Sequence, residues 1–469
     1  MRTLLLKNWL HAGPEQVPEL YLVGGTVRDL VMGRVPKDMD LVCRGAERFA
    51  AGLAAGKKAA LVVLEKKPHQ PCYRVIDRDD GTYLDITEMR GSSIHDDLMQ
   101  RDFTINAIAM GVDQDGGIGE AIDPARGAAD IKDRVVRMVA EEAFAADPLR
   151  ILRAVRFAAL YGYEIEPGTL TEMKLRAPML GDVSAERIMG ELLQILATPE
   201  SSRFVLQMDD LGILEIIFPE IVPMKTCRQN GYHHLDVWRH SLLVLQQAEN
   251  IIKDLPDYFG DRTGDVSENL ASADRLPLLK LAALLHDLGK PATRNTDSAN
   301  GRISFYGHDE KGAVMLEAVA RKMKMSLRDT GLLRLLVAEH LYILTLASGR
   351  AKPLTQMKWF RRVKDDAIPA IILGMADVMS IRGPDSTEEY RLNHIDWSKR
   401  SVRRYFEEIR AGLEKAPLVT GSDLIGMGMS AGPDIGRVLD QLMDAQDDGE
   451  VTTRQEALEL AKRLSVRIS

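Results

Sequence analysis

A chain of 469 residues, 45% hydrophobic and 28% charged, is long enough for about three domains and needs neither a disulfide nor a metal merely to fold. Its formal charge of −8 excludes a protein that coats nucleic acid non-specifically, though not one with a local basic cleft. Aromatic residues at 5% argue against a stacking platform for single strands. No apolar run approaches the ~18–20 residues of a membrane helix. The N-terminal apolar stretch is too short for a secretory signal, and Cys43, Cys72 and Cys227 form no CxxC pair, so a reducing, cytoplasmic setting is expected.

In chain order, residues 20–45 read as strand, glycine turn, helix, strand, with Gly24-Gly25 as the punctuation and 38–42 as the second strand. Further strands are expected at 60–64, 73–76 and 83–87, with a hairpin turn at 77–81. This is a mixed α/β segment, largely antiparallel. From about residue 141 the pattern turns helical. Asp147-Pro148 reads as an N-cap followed by proline, with Leu149, Leu152, Val155 and Ala159 at helical spacing behind it. Thr169–Glu172 reads as a capping box, and Ser184 opens a helix running to Leu196. Helices are expected at 236–252, 275–288, 311–323, 327–340 and 455–464, a long loop at 254–274, and a glycine-rich stretch at 421–436.

Chemistry gathers at four places in the first half. Gly24 and Gly25 let backbone approach a phosphate, the helix start behind them offers N–H groups, and Arg28 adds a charge-assisted donor. Alone, such a turn is usually only a turn. Asp38 and Asp40, two apart on a strand, share a face and stand ~6.5–7 Å apart along it. Paired carboxylates beside apolar Leu41 and Val42 suit Mg²⁺, which takes carboxylate and phosphate oxygens; the bland reading is a solvated strand start. The third place is Arg101 to Ala107, RDFTINA. The fourth is Asp147 to Phe157, where Asp147, Arg150, Arg153 and Arg156 recur every third residue. Three arginines on one helix edge need an anionic neighbour, and nucleotide phosphates or base edges would serve; an exposed helix face is the plain alternative.

In this order the pieces resemble the class II tRNA nucleotidyltransferase and bacterial poly(A) polymerase family. LVGGTVRDLVMGRVPKDMD (Leu22 to Asp40) matches its first motif, QRDFTINA (Gln100 to Ala107) matches RRDFTINA but for Gln100, and IDPARG (Ile122 to Gly127), DPLRILRAVRF and SAERI with Glu191 match its later motifs. The resemblance implies an α+β protein: a polymerase-β-like head at 1–140 with a mixed, largely antiparallel sheet, and a helical neck and body at 141–227. It implies that Gly25, Arg28 and Arg101 hold the triphosphate and ribose. Asp38, Asp40 and Asp85 would serve two Mg²⁺ ions. Asp147 and Arg150, supported by Arg153 and Arg156, would read the base of CTP or ATP without a template. Two departures stand out: Ala146 replaces an acidic residue, and 85–101 is short where members that add the whole CCA carry a flexible loop. A shortened loop occurs in members restricted to adding CC, so addition of the terminal A stays open.

A second constellation, His240, His286-Asp287 in LLHDLGKPAT, and Asp377, resembles the H…HD…D pattern of the HD phosphohydrolase superfamily, and His308 and His340 fall where two-metal members place further histidines. Imidazole and carboxylate suit a transition metal such as Mn²⁺, Ni²⁺ or Fe. This implies an HD domain at 228–400 and a helical tail at 401–469. Some family members with such domains hydrolyse 2′,3′-cyclic phosphates and 2′-nucleotides, and retention for folding alone is the alternative. The expected partner is the tRNA 3′ end, contacted by Lys358, Arg361, Arg362 and Lys364 or by Lys399, Arg400, Arg403 and Arg404 unless these are solvated faces. The competing functions are a poly(A) polymerase, disfavoured by the acidic chain, and a phosphohydrolase with a degenerate RNA-binding head, disfavoured by intact Asp38 and Asp40.

Overall fold

A computed structural model describes residues 2–11, 17–36, 38–64, 71–349, 351–413, 417–447 and 449–468; Lys37, beside the first carboxylate, lies outside them. The chain divides into two compact units, Met1–Ile217 and Phe218–Ser469.

The first unit is built on seven strands: β1 (Leu20–Val23), β2 (Asp40–Cys43), β3 (Ala60–Leu64), β4 (Cys72–Ile76), β5 (Tyr83–Glu88), β6 (Ala109–Val112) and β7 (Ile118–Ile122). Their order is β3-β4-β5-β2-β1-β6-β7, and every pairing is antiparallel except β2 with β5. Leu22, Leu41, Val42, Val75, Leu84 and Ile86 are fully out of water at its centre. Strand β1 ends at Gly24, whose φ of 63° is a left-handed backbone a side chain would strain, and the chain turns at once into α1 (Gly25–Val31). α2 (Ala46–Lys57) buries Phe49, Ala50 and Leu53, while α3 (Ile94–Met99) is capped by Ser93, which accepts from Asp96 N at 3.2 Å. α4 (Arg150–Tyr161) and α5 (Ala185–Leu196) pack together, each with an apolar stripe on one face.

Several local expectations change. α4 begins at Arg150 with Leu149 in the cap position, so Asp147 lies in an extended turn ahead of it, not at the cap. Thr169 is inside a helix (Pro167–Arg176) that starts earlier: the Glu166 carboxylate takes the Thr169 N–H at 2.7 Å, and Pro167 follows the cap. Residues 254–274 form short helices (Leu255–Phe259, Thr263–Ala271), because Val266 and Leu270 give that polar stretch an apolar edge to bury. Strands β6 and β7 each carry a glycine that weakens the strand signal, and a small parallel pair of Val135–Val136 with Glu164–Ile165 is only two residues long on each side.

The second unit centres on α6 (Val237–Lys253), α7 (Arg275–Leu285), α8 (His308–Lys322), α9 (Leu327–Ala347) and α10 (Ala367–Ser380), followed by α11 (Glu388–Arg404). α10 is buried along nearly all its length, which its apolar sequence requires. α9 corrects the expectation about apolar runs: it is long and apolar enough to cross a membrane by length and composition, yet it packs against α7, α8 and α10 and carries His340 in its buried face. A short hairpin joins Asn295–Thr296 to Ile303–Ser304. Beyond residue 417, Val419, Leu424, Val438, Leu442 and Ala457 make a small core of their own.

Candidate nucleotide and metal sites

Gly24, Gly25 and the carboxylates and arginines singled out in the first half all line one cleft of about 700 Å³ in the first unit. Its floor is the glycine turn: a methyl on Gly24 would lie 3.2 Å from Arg101 Nη1 and 3.7 Å from Asp40 Oδ2. Asp38 does not stand on the strand, which starts at Asp40, so strand alternation is not what brings the two carboxylates together. Thr26 does so instead. Its hydroxyl donates to Asp38 O at 3.1 Å and accepts from Asp40 N at 2.7 Å, clamping the acidic segment to α1. Parallel pairing of β2 with β5 then sets Asp85 opposite Asp40. Asp85 is buried and takes two bonds from Arg74 at 2.7 and 2.8 Å, which raise the guanidinium's pKa. Tyr83 Oη donates to exposed Asp38.

The arginines are held by protein groups. Arg28 donates to Asn106 Oδ1 at 2.7 Å and to Asp29, and its guanidinium lies over the Tyr161 ring at 4.8 Å. Asn106 donates to Asp102 at 3.2 Å, and Asp102 accepts from Arg153 at 3.0 and 2.6 Å. Burial works against the Asp102 charge, but Arg153 and Asn106 outweigh it and hold the carboxyl well below its usual range. Glu191 on α5 takes Arg156 at 2.6 Å and stands 3.9 Å from Arg153. Buried Arg150 donates to the main-chain oxygens of Gln100, Arg101 and Ala143, leaving two of its five N–H groups. Asp147 accepts from Arg187 at 3.2 Å on both oxygens, and Arg101 from α3's end binds Asp97 at 2.7 Å. The anionic neighbours that the arginine stripe demands are therefore Asp102 and Glu191. Sequence reasoning quoted both inside motifs and gave them no role; nor did it single out Asn106, Arg187 or Arg74. Asp102 and Asn106, four apart, were the available signal.

In the second unit the six expected ligand residues form two buried groups, His240, His286 and Asp377, and Asp287, His308 and His340, each with ligand atoms within 4.8 Å of one another. Asp287 bridges them: Oδ1 lies 3.3 Å from His308 Nε2, and Oδ2 lies 3.1 Å from His286 Nε2. His286, His308 and His340 each place Nδ1 against the carbonyl three residues earlier, at 2.9, 2.7 and 2.6 Å. A carbonyl only accepts, so Nδ1 carries a proton in each ring and Nε2 faces inward. Two such nitrogens, on His308 and His340, face each other at 3.3 Å. That donor set fits metal ions and little else. Burial drives His340 down to about 4, keeping its ring neutral, while Asp287 outweighs burial and raises His286. Lys290, quoted within the motif without a role, donates to Gln229 Oε1 at 2.7 Å and lies 2.7 Å from Asp287 Oδ2. His233, also missed, packs its ring 4.5 Å from His240, and burial pushes it down to about 2.

The basic clusters are largely spent on neighbours. Lys358 and Arg361 pair with Asp444, Arg362 with Glu339, Arg403 with Asp261 and Glu407, and Arg404 with Glu408. Five of the eight expected RNA contacts thus sit in surface of mixed charge.

A family model for the poly A polymerase head domain matches residues 20–137, one for the probable RNA and SrmB-binding site of polymerase A matches 162–224, and the HD domain model matches 237–382. An A-adding tRNA nucleotidyltransferase of Deinococcus radiodurans is 32% identical over 456 residues, covering 96% of each chain. A CC-adding tRNA nucleotidyltransferase of Thermus thermophilus is 29% identical over 447 residues, or 94% of this chain and 92% of that one. Among solved structures, the Thermotoga maritima CCA-adding enzyme complexed with tRNA aligns over 99% of this chain and 95% of its own, with TM-score 0.61 and 22% identity, a likeness of fold.

Proposed function

Since this chain belongs to the tRNA nucleotidyltransferase and poly(A) polymerase family, we propose that it adds nucleotides of the 3′-terminal CCA to tRNA from CTP and ATP, without a template, in the cytoplasm. The observation that carries this reading is the convergence of four separate motifs on one cleft, carboxylates beside the glycine turn and fixed arginines around it. Asp38 and Asp40 would hold Mg²⁺, which supplies charge neutralisation on the phosphates and a lower pKa for the RNA 3′-hydroxyl. Asp85, held by Arg74, completes the acidic wall. Gly25 and Arg28 would seat the triphosphate, with Arg28 presented by Asn106 and Asp29. Asp147 offers acceptors and Arg150 its two remaining donors to the amino and ring-nitrogen edge of cytosine or adenine, and Arg153 and Arg156 keep α4 in place.

The turn at 89–93 is compact, with Arg90 N bonded to Asp97 and Ser92 N to Asp96, and which of C, A or the whole CCA is added is what incorporation on defined transcripts decides. Three tRNA transcripts, lacking all three CCA nucleotides, lacking the last one, or complete, are offered each labelled nucleoside triphosphate. CTP incorporation on the first alone identifies CC addition, ATP on the second identifies A addition, and long A tails on unrelated RNA would replace this reading with a poly(A) polymerase. No incorporation at all would refute it and favour the phosphohydrolase with a degenerate head.

The two buried ligand groups favour a second activity in the HD domain. His240, His286 and Asp377 would hold one transition-metal ion such as Mn²⁺, Ni²⁺ or Fe, and Asp287, His308 and His340 another. Such a pair supplies an activated water for phosphoester hydrolysis. Within this reading the chain is organised as head 1–140, neck and body 141–227, HD domain 228–400 and tail 401–469.

A further inference from the structure

A second cavity, of about 540 Å³, adjoins the nucleotide cleft within the first unit. The two share Gly25, Arg28, Asp38 and Asp40 as a common wall and then diverge. The cleft runs on to Arg74, Asp85, Asp147 and Arg150, the cavity to Arg34, Val35, Leu160 and Tyr161. Nucleotide transfer brings two reactants to one pair of carboxylates. The cleft accounts for the nucleoside triphosphate, and the cavity is a separate approach to the same two side chains.

The outer part of the cavity is made of planes and charge. Tyr161, the last residue of α4, lies parallel to Phe157, with centroids 6.3 Å and planes 10° apart. The guanidinium of Arg28 stands 4.8 Å from the Tyr161 centroid and that of Arg34 5.4 Å. Arg28 is held by Asn106 and Asp29, whereas Arg34 is exposed and makes no ion pair among the described residues. Val35 and Leu160, 72% and 53% exposed, leave apolar side chains in water beside them. The polar side chains of the wall already serve the protein. The Thr26 hydroxyl clamps the acidic segment, Asp29 takes Arg28, Arg156 binds Glu191, and Gln194 Nε2 donates to Gly190 O at 3.2 Å. Flat faces and a cation with no committed reader of base edges are what a sequence-tolerant single-strand site requires. We propose that this cavity seats the 3′-terminal nucleotide of the acceptor RNA, its base against the Tyr161–Arg34 pair with Val35 and Leu160 at its edge, its phosphate on Arg34, and its hydroxyl toward Asp38 and Asp40. The inference rests on the nucleotide-transfer reading and adds how the acceptor is held: by stacking and charge, without regard to which base ends the RNA.

The test uses the full-length chain and two readouts. The first is binding without nucleoside triphosphate, followed by the fluorescence of a 2-aminopurine placed as the 3′-terminal base of a tRNA that lacks the CCA nucleotides. Emission is expected to fall on binding to wild type and to Tyr161→Phe, which keeps the ring, and to stay at the level of free RNA with Tyr161→Leu. The second is steady-state incorporation of CTP. Arg34→Ala, at an exposed position away from the core, is expected to raise KM for the RNA roughly tenfold and to leave KM for CTP within about twofold. Four tRNAs differing only in their last base are expected to show KM values within about threefold of one another. Emission unchanged by wild type or still falling with Tyr161→Leu, an Arg34→Ala effect on CTP instead of RNA, or a preference of more than about tenfold for one terminal base each overturns the inference even if nucleotides are incorporated. Absence of incorporation by wild type, with quenching still lost in Tyr161→Leu, overturns the transfer reading and keeps the RNA-end site.

Discussion

Replacing Asp102 by asparagine tests whether the charge lattice under the nucleotide cleft organises the first unit. Asp102 accepts Arg153 on Oδ2 at 3.0 and 2.6 Å, and Asn106 and Phe103 N on Oδ1 at 3.2 and 2.9 Å. An amide satisfies one side only: with its oxygen toward Arg153 its NH₂ meets two donors, and turned over it meets the guanidinium. Breaking a buried charge pair costs ~3–5 kcal/mol, and because the Arg153 side chain is 32% exposed, the lower end, about 3 kcal/mol, is expected. For a unit of this size that is a fall in Tm of about 6–12 °C. The native carboxyl sits below its unfolded value of ~3.9, so its contribution is present above that pH and is lost as pH falls through the folded value. The variant loses that acid-side slope. Hydrogen exchange read by mass spectrometry on peptides from α4 and α5 localises the effect, and a cycle with Arg153→Met isolates the pair. Exchange within ~0.5 kcal/mol of wild type, or additive single and double variants, would refute the reasoning.

Asp40→Asn lowers nucleotide incorporation by at least about a thousandfold, while the melting temperature stays within about 3 °C of wild type, as radiolabel incorporation and calorimetry will read. His394, buried with neither ring nitrogen hydrogen-bonded among the described residues, is driven by burial down to about 4. The unfolded chain therefore takes up its proton first, and wild-type stability falls between pH ~6.5 and ~4 by up to about 3 kcal/mol; His394→Leu removes that slope in denaturant titrations and costs nothing at pH 8. Adding Mn²⁺ at a hundred times its Kd to stripped protein stabilises the second unit by about 2.7 kcal/mol, and His286→Ala abolishes the thermal shift.

The sequence by itself singled out the candidate residues that the fold gathers into one cleft and the alternation of strand and helix in the head, because glycine turns, paired carboxylates and HD spacing are local and short-range backbone preferences decide them. It also placed six metal-ligand candidates that the fold gathers into two groups. Tertiary structure alone decided who restrains whom. Thr26 sets the spacing of Asp38 and Asp40, Asp85 meets Asp40 only through a parallel pairing of distant strands, and the arginines of α4 answer to Asp102 and Glu191. It turned the polar stretch 254–274 into helices and moved Asp147 off its expected cap. The physical reason is the same throughout: a charge or polar group removed from water takes whichever partner folding brings within ~3 Å, and that partner need not be near in the chain.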